Sequence, residues 1–406
     1  MHSTTAALCP EATTCYNPSN CTGLSSYYAL DVTDAENPKL LWEFSHPFLG
    51  YSYSGPAVIH KWTDWTHLEG DQYYVMFLSG PTNPTDGSSN QNLKVFVLWL
   101  DENLAIKSVY YRDLGIQKGF GGRLFTNGLD VNEDGYTDFV VFGYSSGQSG
   151  STTGWTGGLG KIYTGKATST DPVVTAGEAA MDPQNWDYDV TSYAGLATVP
   201  ITAKVQSEQC FNTWYLFAGT GRYLFTLDDY KGSSLNSIMG IPFTCNELNQ
   251  NCTSIASLND SSTACTNLQA GTLGQAGWAN TLNEASGSFL RERLTTDPTV
   301  SAGNKIYFTT SEPTSDPCGY GGQSRVWGLN CATGGALSDS CNGYGITDTS
   351  GTLYLQTSTG AIYQISTFNG KTTAELPGMP PENSLPVVPP TTTPNQSGQL
   401  IQWIER

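Results

Sequence analysis

The stretch "LDVNEDGYTDFVVFG" (residues 129–143) decides how the rest of the chain is read, because an acidic loop runs directly into an apolar run. Side-chain oxygens recur at Asp130, Asn132, Asp134 and Asp138, and Gly135 follows the third of them. Counted from Asp130, these ligand types stand at positions 1, 3, 5 and 9, with Gly at 6 and Tyr136 at 7. That is the order of a calcium loop: carboxylate and amide oxygens on alternate residues, a Gly at the sharp turn, and a backbone carbonyl at the seventh position. Calcium takes about six to eight hard oxygens at roughly 2.3–2.6 Å, and this loop supplies most of them. Three carboxylates this close repel one another unless a cation lies between them. Glu133, at an even position, is expected to point outward. Position 12 is Val141 rather than a bidentate Glu, and no helical pattern flanks the loop, so it is not an EF-hand. Asp138 closes the site and "FVVFG" continues as a strand. The competing reading is an Asp/Gly-rich hairpin turn without metal.

Outward from this loop, strand signals dominate. "LLWEF", "GPAVIH", "YYVMFL", "LKVFVLWL", "KSVYYR", "DFVVFG", "GKIYTG", "TWYLFAGTG", "RYLFTL", "NKIYFTT", "SRVWGLN", "TLYLQTS" and "AIYQIST" are short, rich in β-branched and aromatic residues, and bounded by Gly, Asn, Asp or Ser. Helical periodicity is nearly absent, with room for short helices around 175–190 and 245–270. The strands pair as hairpins and repeat a crude pattern of strand, Gly-rich turn and aromatic strand, as in "YLFAGTGRYLFTL" and "LYLQTSTGAIYQIST". Divergent repeats of this size predict an all-β propeller, with a sandwich array as the alternative. Residues 1–25 form a Cys-containing N-terminal segment, and 26–406 are expected to be the propeller. Within it, 231–295 reads as a polar loop insertion and 377–398 as a Pro/Thr-rich extended segment. The closing "QLIQWIER" reads as a final strand that closes a ring and removes a free edge.

Composition agrees. Only 13% of the 406 residues are charged, against 44 Gly, 22 Tyr and 10 Trp, which is the balance of an all-β secreted type. A formal net charge of −18 argues against nucleic acid and anionic membranes as partners. No apolar run reaches the roughly 18 residues of a membrane span. The start, "MHSTTAALCPEATTCYNPSNC", lacks a basic region followed by an apolar core, so a removed leader or a piece of a longer chain is expected. Ten cysteines with no CxxC and only four His favour disulfides over zinc, and with them an oxidising compartment. Local pairs are the first guess: Cys318 with Cys331 or Cys341, and Cys245 with Cys252 or Cys265.

At this point a family resemblance becomes specific. "YYALDVTDAENPKLLWEFSHPFLGYSYSGPAVI" (27–59) resembles the opening of the C-terminal domain of PilY-type type IV pilus tip proteins. "GLDVNEDGYTDFVVFG" (128–143) is similar to that family's calcium loop, and "WYLFAGTGRYL" (214–224) to its "FGTGRYL" signature. "RERLTTDPTVSAGNKIYFTTSEPTSDPCGYGGQSRVWGLNCATGG" (291–335) resembles its late segment. The segments 145–200 and 231–275 match poorly, "GGQSRVWGL" lacks the usual Trp after the Ser, and the cysteine-bearing start has no counterpart. The resemblance implies a modified seven-bladed, quinoprotein-like β-propeller with long disulfide-stapled loops. It also implies one Ca2+ held by residues matching Asp130, Asn132, Asp134, Tyr136 and Asp138. The implied role is pilus assembly, calcium control of extension and retraction, and adhesion from the pilus tip or outer cell surface, reached by export through the periplasm. The implied partners are minor pilins and host or abiotic surfaces.

Other constellations are weaker. A quinoprotein-like dehydrogenase typically carries a vicinal Cys-Cys ring over its cofactor, and no two Cys are adjacent here. An integrin-like FG-GAP propeller repeats its "DxNxDGxxD" loop in several blades, whereas this chain has it once. His2, His46, His60 and His67 sit in no catalytic motif and read as ordinary structural histidines, so no enzyme is expected. "GTGRYL" lacks the Lys of a phosphate loop. The aromatic cluster at 60–74 and the Gly-rich "GSTTGWTGGLG" at 150–160 read as blade cap or contact loops. The Asn-x-Ser/Thr sites at Asn20, Asn251, Asn259 and Asn395 would matter only in a eukaryotic secretory setting.

Overall fold

The apolar runs form strands, and helix is confined, among the described residues, to short 3-10 turns such as Pro183–Asn185. The computed structural model describes residues 25–62, 71–84, 86–124, 126–130, 136–147, 154–164, 182–189, 199–210, 213–224, 228, 235–246, 251–253, 258–260, 277–287, 289–301, 305–313, 323–335, 352–356 and 362–366. In chain order the strands are β1 (Tyr27–Asp31), β2 (Lys39–Phe44), β3 (Ala57–Trp62), β4 (Asp71–Leu78), β5 (Lys94–Leu100), β6 (Ile106–Asp113), β7 (Gly119–Gly121) and β8 (Thr126–Asn127). There follow β9 (Phe139–Ser146), β10 (Thr156–Tyr163), β11 (Asp187–Asp189), β12 (Gln206–Cys210), β13 (Thr213–Gly219), β14 (Ser237–Pro242), β15 (Thr244–Asn246) and β16 (Asn251–Thr253). The last are β17 (Leu258–Asp260), β18 (Gly277–Thr281), β19 (Arg293–Leu294), β20 (Thr299–Ser301), β21 (Lys305–Glu312), β22 (Gln323–Asn330), β23 (Thr352–Gln356) and β24 (Ile362–Ser366).

Sequence neighbours become sheet neighbours. One sheet has the order β6-β5-β4-β3-β8, the next β11-β10-β9-β7, and a third β12-β13-β14-β18-β17. In a fourth, β21 pairs with β19, β20 and β22. The hairpins β1-β2, β15-β16 and β23-β24 stand as two-stranded sheets.

Side-chain parity explains how these sheets stack. Successive residues of a strand point to opposite faces. In β4, Val75 and Phe77 join Phe44, Phe96 and Leu98 in a core shared with β1-β2. Tyr74, Met76 and Leu78 join Val140, Phe142 and Ile162 in a core shared with β9-β10. The alternate residues of β9, Phe139 and Val141, face Leu216, Ala218, Met239 and Ile241. The opposite face of β13 sends Tyr215 and Phe217 into a core with Trp278, Ile306, Phe308, Trp327 and Leu329. Each fully buried large side chain contributes roughly 1.5–3 kcal/mol. The sheets therefore stack serially, face to face, with β4, β9 and β13 of the inner sheets each feeding two cores. This all-β arrangement is compatible with a β-propeller.

Four expectations are corrected. "RYLFTL" is not a strand over its described part, 222–224. Arg222 turns inward instead, pairing with buried Asp228 at 2.8 Å, donating to the carbonyls of Asp86 and Gly87, and lying 3.6 Å from the centre of the Trp155 ring. The end of the Gly-rich stretch, 156–160, is not loop but the buried start of β10. Its glycines make room for neighbours: a Cβ at Gly160 would strike the Phe142 ring, and one at Gly157 the Tyr144 carbonyl and Pro200. The excursion at 231–295 is not loop throughout, because β14 and β18 are central strands carrying Ile238, Met239 and Trp278 into two cores. Of the short helices expected around 175–190 and 245–270, the first is present as the 3-10 helix Pro183–Asn185, whereas the described residues of the second region form strand.

Cys331 does not pair locally with Cys318 or Cys341. It is bonded to Cys210, 121 residues away with Cα atoms 6.1 Å apart, because the β13 and β21 sheets pack face to face across one core. Cys245 and Cys252 stand opposite one another on β15 and β16. Cys9, Cys15, Cys21, Cys265, Cys318 and Cys341 lie outside the described residues, as do 1–24, most of the 60–74 cluster, the 377–398 segment and "QLIQWIER".

Two measurements follow. Replacing both Cys210 and Cys331 by Ala should lower unfolding free energy by roughly 2–5 kcal/mol in a urea titration, because the bond closes a long loop. His46 packs against Phe48, Phe96 and Tyr111, and burial, with the charge of Lys94, pushes its pKa from 6.5 down to about 4. The unfolded chain then binds a proton between those values that the folded chain refuses. Stability present above pH 6.5 is therefore lost as pH falls toward 4. His46→Phe should flatten the urea midpoint against pH across that window, and a slope equal to wild type would contradict the assignment.

Candidate functional site

The acidic loop is held at both ends by backbone bonds. Leu129 N–H donates to Phe139 O at 2.6 Å, and Phe139 and Asp138 N–H both donate back to Leu129 O, at 3.1 and 2.8 Å. This bridge brings together the two residues that flank 130–138, at the start of β9. A metal loop needs this constraint, since ligands on a free chain would have to be ordered at entropic cost on each binding event.

Two neighbouring strands grip the loop's descending limb. From β3, His60 O accepts from Thr137 N–H at 2.9 Å, His60 N–H donates to Thr137 Oγ1 at 3.3 Å, and Lys61 Nζ donates to Thr137 O at 2.9 Å. Just past β10, Thr164 N–H and Oγ1 donate to Asp138 O at 2.9 and 3.1 Å, and Oγ1 also reaches Thr137 O at 2.6 Å. The Tyr136 ring lies 4.6 Å from the His60 ring, which stacks on Tyr73 at 4.7 Å with 7° between the planes. Gly128 is obligatory here, since a Cβ would overlap the Thr137 side chain.

Of the five residues predicted as ligands, Asp130, Tyr136 and Asp138 are brought to this loop, and Asn132 and Asp134 lie outside the described residues. Asp138 is only 4% exposed, so its carboxylate must be balanced by partners rather than by water. A buried carboxylate next to an acidic segment is a hard-oxygen donor of the kind a hard cation takes. Among the described residues no three His, Cys, Asp or Glu gather into a metal-binding group. Reading the sequence missed Gly128, Lys61, Thr137 and Thr164. Gly128 beside the loop was a visible signal, whereas nothing in "HKW" announces that Lys61 reaches a residue 76 positions away. His60, read as an ordinary structural histidine, stands against the loop.

No family model matches the chain. It is 24% identical over 367 residues to the type IV pilus biogenesis factor PilY1 of Pseudomonas aeruginosa (strain UCBPP-PA14), an alignment covering 77% of this chain and 29% of that protein. The chain thus spans under a third of the length of the curated relative it matches. A solved α-L-arabinofuranosidase from Lactobacillus brevis is similar over 80% of this chain and 86% of its own, at a TM-score of 0.32 and 10% identity, too low to carry an argument. At that identity the alignment is a distant similarity to a type IV pilus biogenesis factor. No helix among the described residues is long and apolar enough to cross a membrane.

The grip on the loop can be tested at Gly128. Gly128→Ala should destabilise by about 1–3 kcal/mol through overpacking. Adding Thr137→Ser, which removes the obstructing methyl, should recover part of that loss in a double-mutant cycle of urea unfolding. Strict additivity would mean that the two positions do not press on one another.

Proposed function

We propose that this chain is a seven-bladed, quinoprotein-like β-propeller module of a type IV pilus biogenesis and tip factor, acting by binding rather than catalysis and controlled by calcium. The observation that carries the calcium reading is the Leu129–Phe139 bridge at the two ends of the acidic segment, with Asp138 buried beside it. The serial stack of sheets supports the propeller, and the similarity to PilY1 supports the pilus setting.

In this reading Asp130, Asn132, Asp134 and Asp138 hold the ion through side-chain oxygens, and Tyr136 through its backbone carbonyl. Calcium, when bound, supplies the positive charge that neutralises mutually repelling carboxylates. Leu129 and Phe139 keep the loop's ends fixed, so a change within the loop is passed to β3 through the Thr137 and His60 contacts and to the end of β10 through Thr164. Two loop states with different affinities for a partner would let calcium shift the balance between them. The partners proposed are minor pilins at an extracellular pilus tip, reached by export through the periplasm, and beyond them host or abiotic surfaces.

Calorimetric titration of chelator-treated protein with calcium should show one site. Asp130→Ala, at a partly exposed position, and Asp138→Asn, which keeps the side-chain shape, should each weaken binding at least about tenfold, the loss of one charged ligand. No heat from wild type would remove the calcium reading, and unchanged affinity in both variants would remove the ligand set. Calcium-dependent capture of purified minor pilin ectodomains tests the partner, and capture indifferent to calcium would argue against control through the loop.

A further inference from the structure

Lys61, near the end of β3, brings a positive charge to the acidic loop. Its Nζ donates to the Thr137 carbonyl oxygen at 2.9 Å, and Thr164 Oγ1 shares that acceptor at 2.6 Å. Thr137 cannot drift from Lys61, because its N–H and Oγ1 are both bonded to the His60 main chain. The accepting carbonyl lies between Tyr136 and Asp138, two of the residues assigned to the ion. Consecutive Cα atoms are about 3.8 Å apart, so the ammonium stands well within a screening length of about 8 Å from the Asp138 backbone. Cations are scarce in this chain, 18 Lys and Arg against 36 Asp and Glu, so one at the loop is not the by-product of a basic surface.

We propose that Lys61 is the loop's resident counter-cation: it steadies the carboxylates when calcium is absent and opposes the incoming ion, so that it sets the calcium concentration at which the loop fills. This rests on the calcium reading above. Thr137 occupies the eighth loop position, which supplies no ligand in the assigned set, so Lys61 does not have to vacate a coordination site. Its effect on the ion is Coulombic repulsion rather than competition for a ligand. A compact ammonium on a four-carbon stem suits that role, since it can shift by rotamer changes as the loop fills.

Lys61→Gln removes the charge and keeps a donor for the Thr137 carbonyl. It should tighten calcium binding about five- to tenfold by calorimetry, the size of a charge–charge term at this range in a high dielectric. It should also lower Tm in chelator while matching wild-type Tm at saturating calcium. Lys61→Arg should behave as wild type in both measurements. Lys61→Met serves as a second charge-removing variant if Lys61→Gln fails to fold. Unchanged or weaker affinity in the charge-free variants, with wild type binding normally, overturns the role of Lys61 alone. Absence of calcium binding in wild type overturns the calcium reading, and this inference with it.

Discussion

The structure depends on strands whose central residues are buried on both faces. In β4 the odd residues serve one core and the even residues another, and the same holds for β9 and β13. Such a strand cannot slip by one residue, because a slip would exchange two fully packed faces at once. Register is therefore fixed by packing rather than by turns. Tight glycine contacts reinforce it: Gly143 of β9 lies under Ile201, and Gly160 of β10 lies against the Phe142 ring.

That constraint is what gives the acidic loop its shape. Phe139 must face Tyr163 and Phe243, so Asp138 and the Leu129 bridge fall where they do without any contribution from a ligand. The loop's ends are set by hydrophobic packing, while its sequence carries Asp130, Glu133, Asp134 and Asp138. The cores hold the frame, so the ends of the acidic segment owe their positions to packing. The contacts from Thr137 to β3 and from Asp138 to Thr164 then connect loop and frame through backbone bonds, reinforced by the Lys61 and Thr164 side chains.

Much of this was legible in the sequence where a local rule governs the outcome. "YYVMFL" and "DFVVFG" form strands because apolar runs of that length are buried on both faces. The Asp/Asn/Gly spacing marked residues 130–138 as a loop whose ends the structure closes. What failed was governed by distant partners. "RYLFTL" has strand composition, but Arg222 is drawn to Asp228 and to the carbonyls of Asp86 and Gly87, 135 or more residues away. The glycines of 156–160 suggested flexibility, yet they are small because Phe142, Tyr144 and Pro200 crowd them. Cys210 and Cys331 pair across a core that joins two sheets, which no local spacing could show. The reach of Lys61 to Thr137 was hidden for the same reason.

The central claim is that packing presents a preformed loop to a calcium ion. Its most direct test is diffraction from crystals grown with calcium, with anomalous scattering used to place the ion. The account predicts one peak inside residues 130–138, with oxygens of Asp130, Asn132, Asp134, Tyr136 and Asp138 at about 2.3–2.6 Å and the Leu129–Phe139 bridge intact. A loop without an ion at saturating calcium, or an ion bound elsewhere, would contradict it.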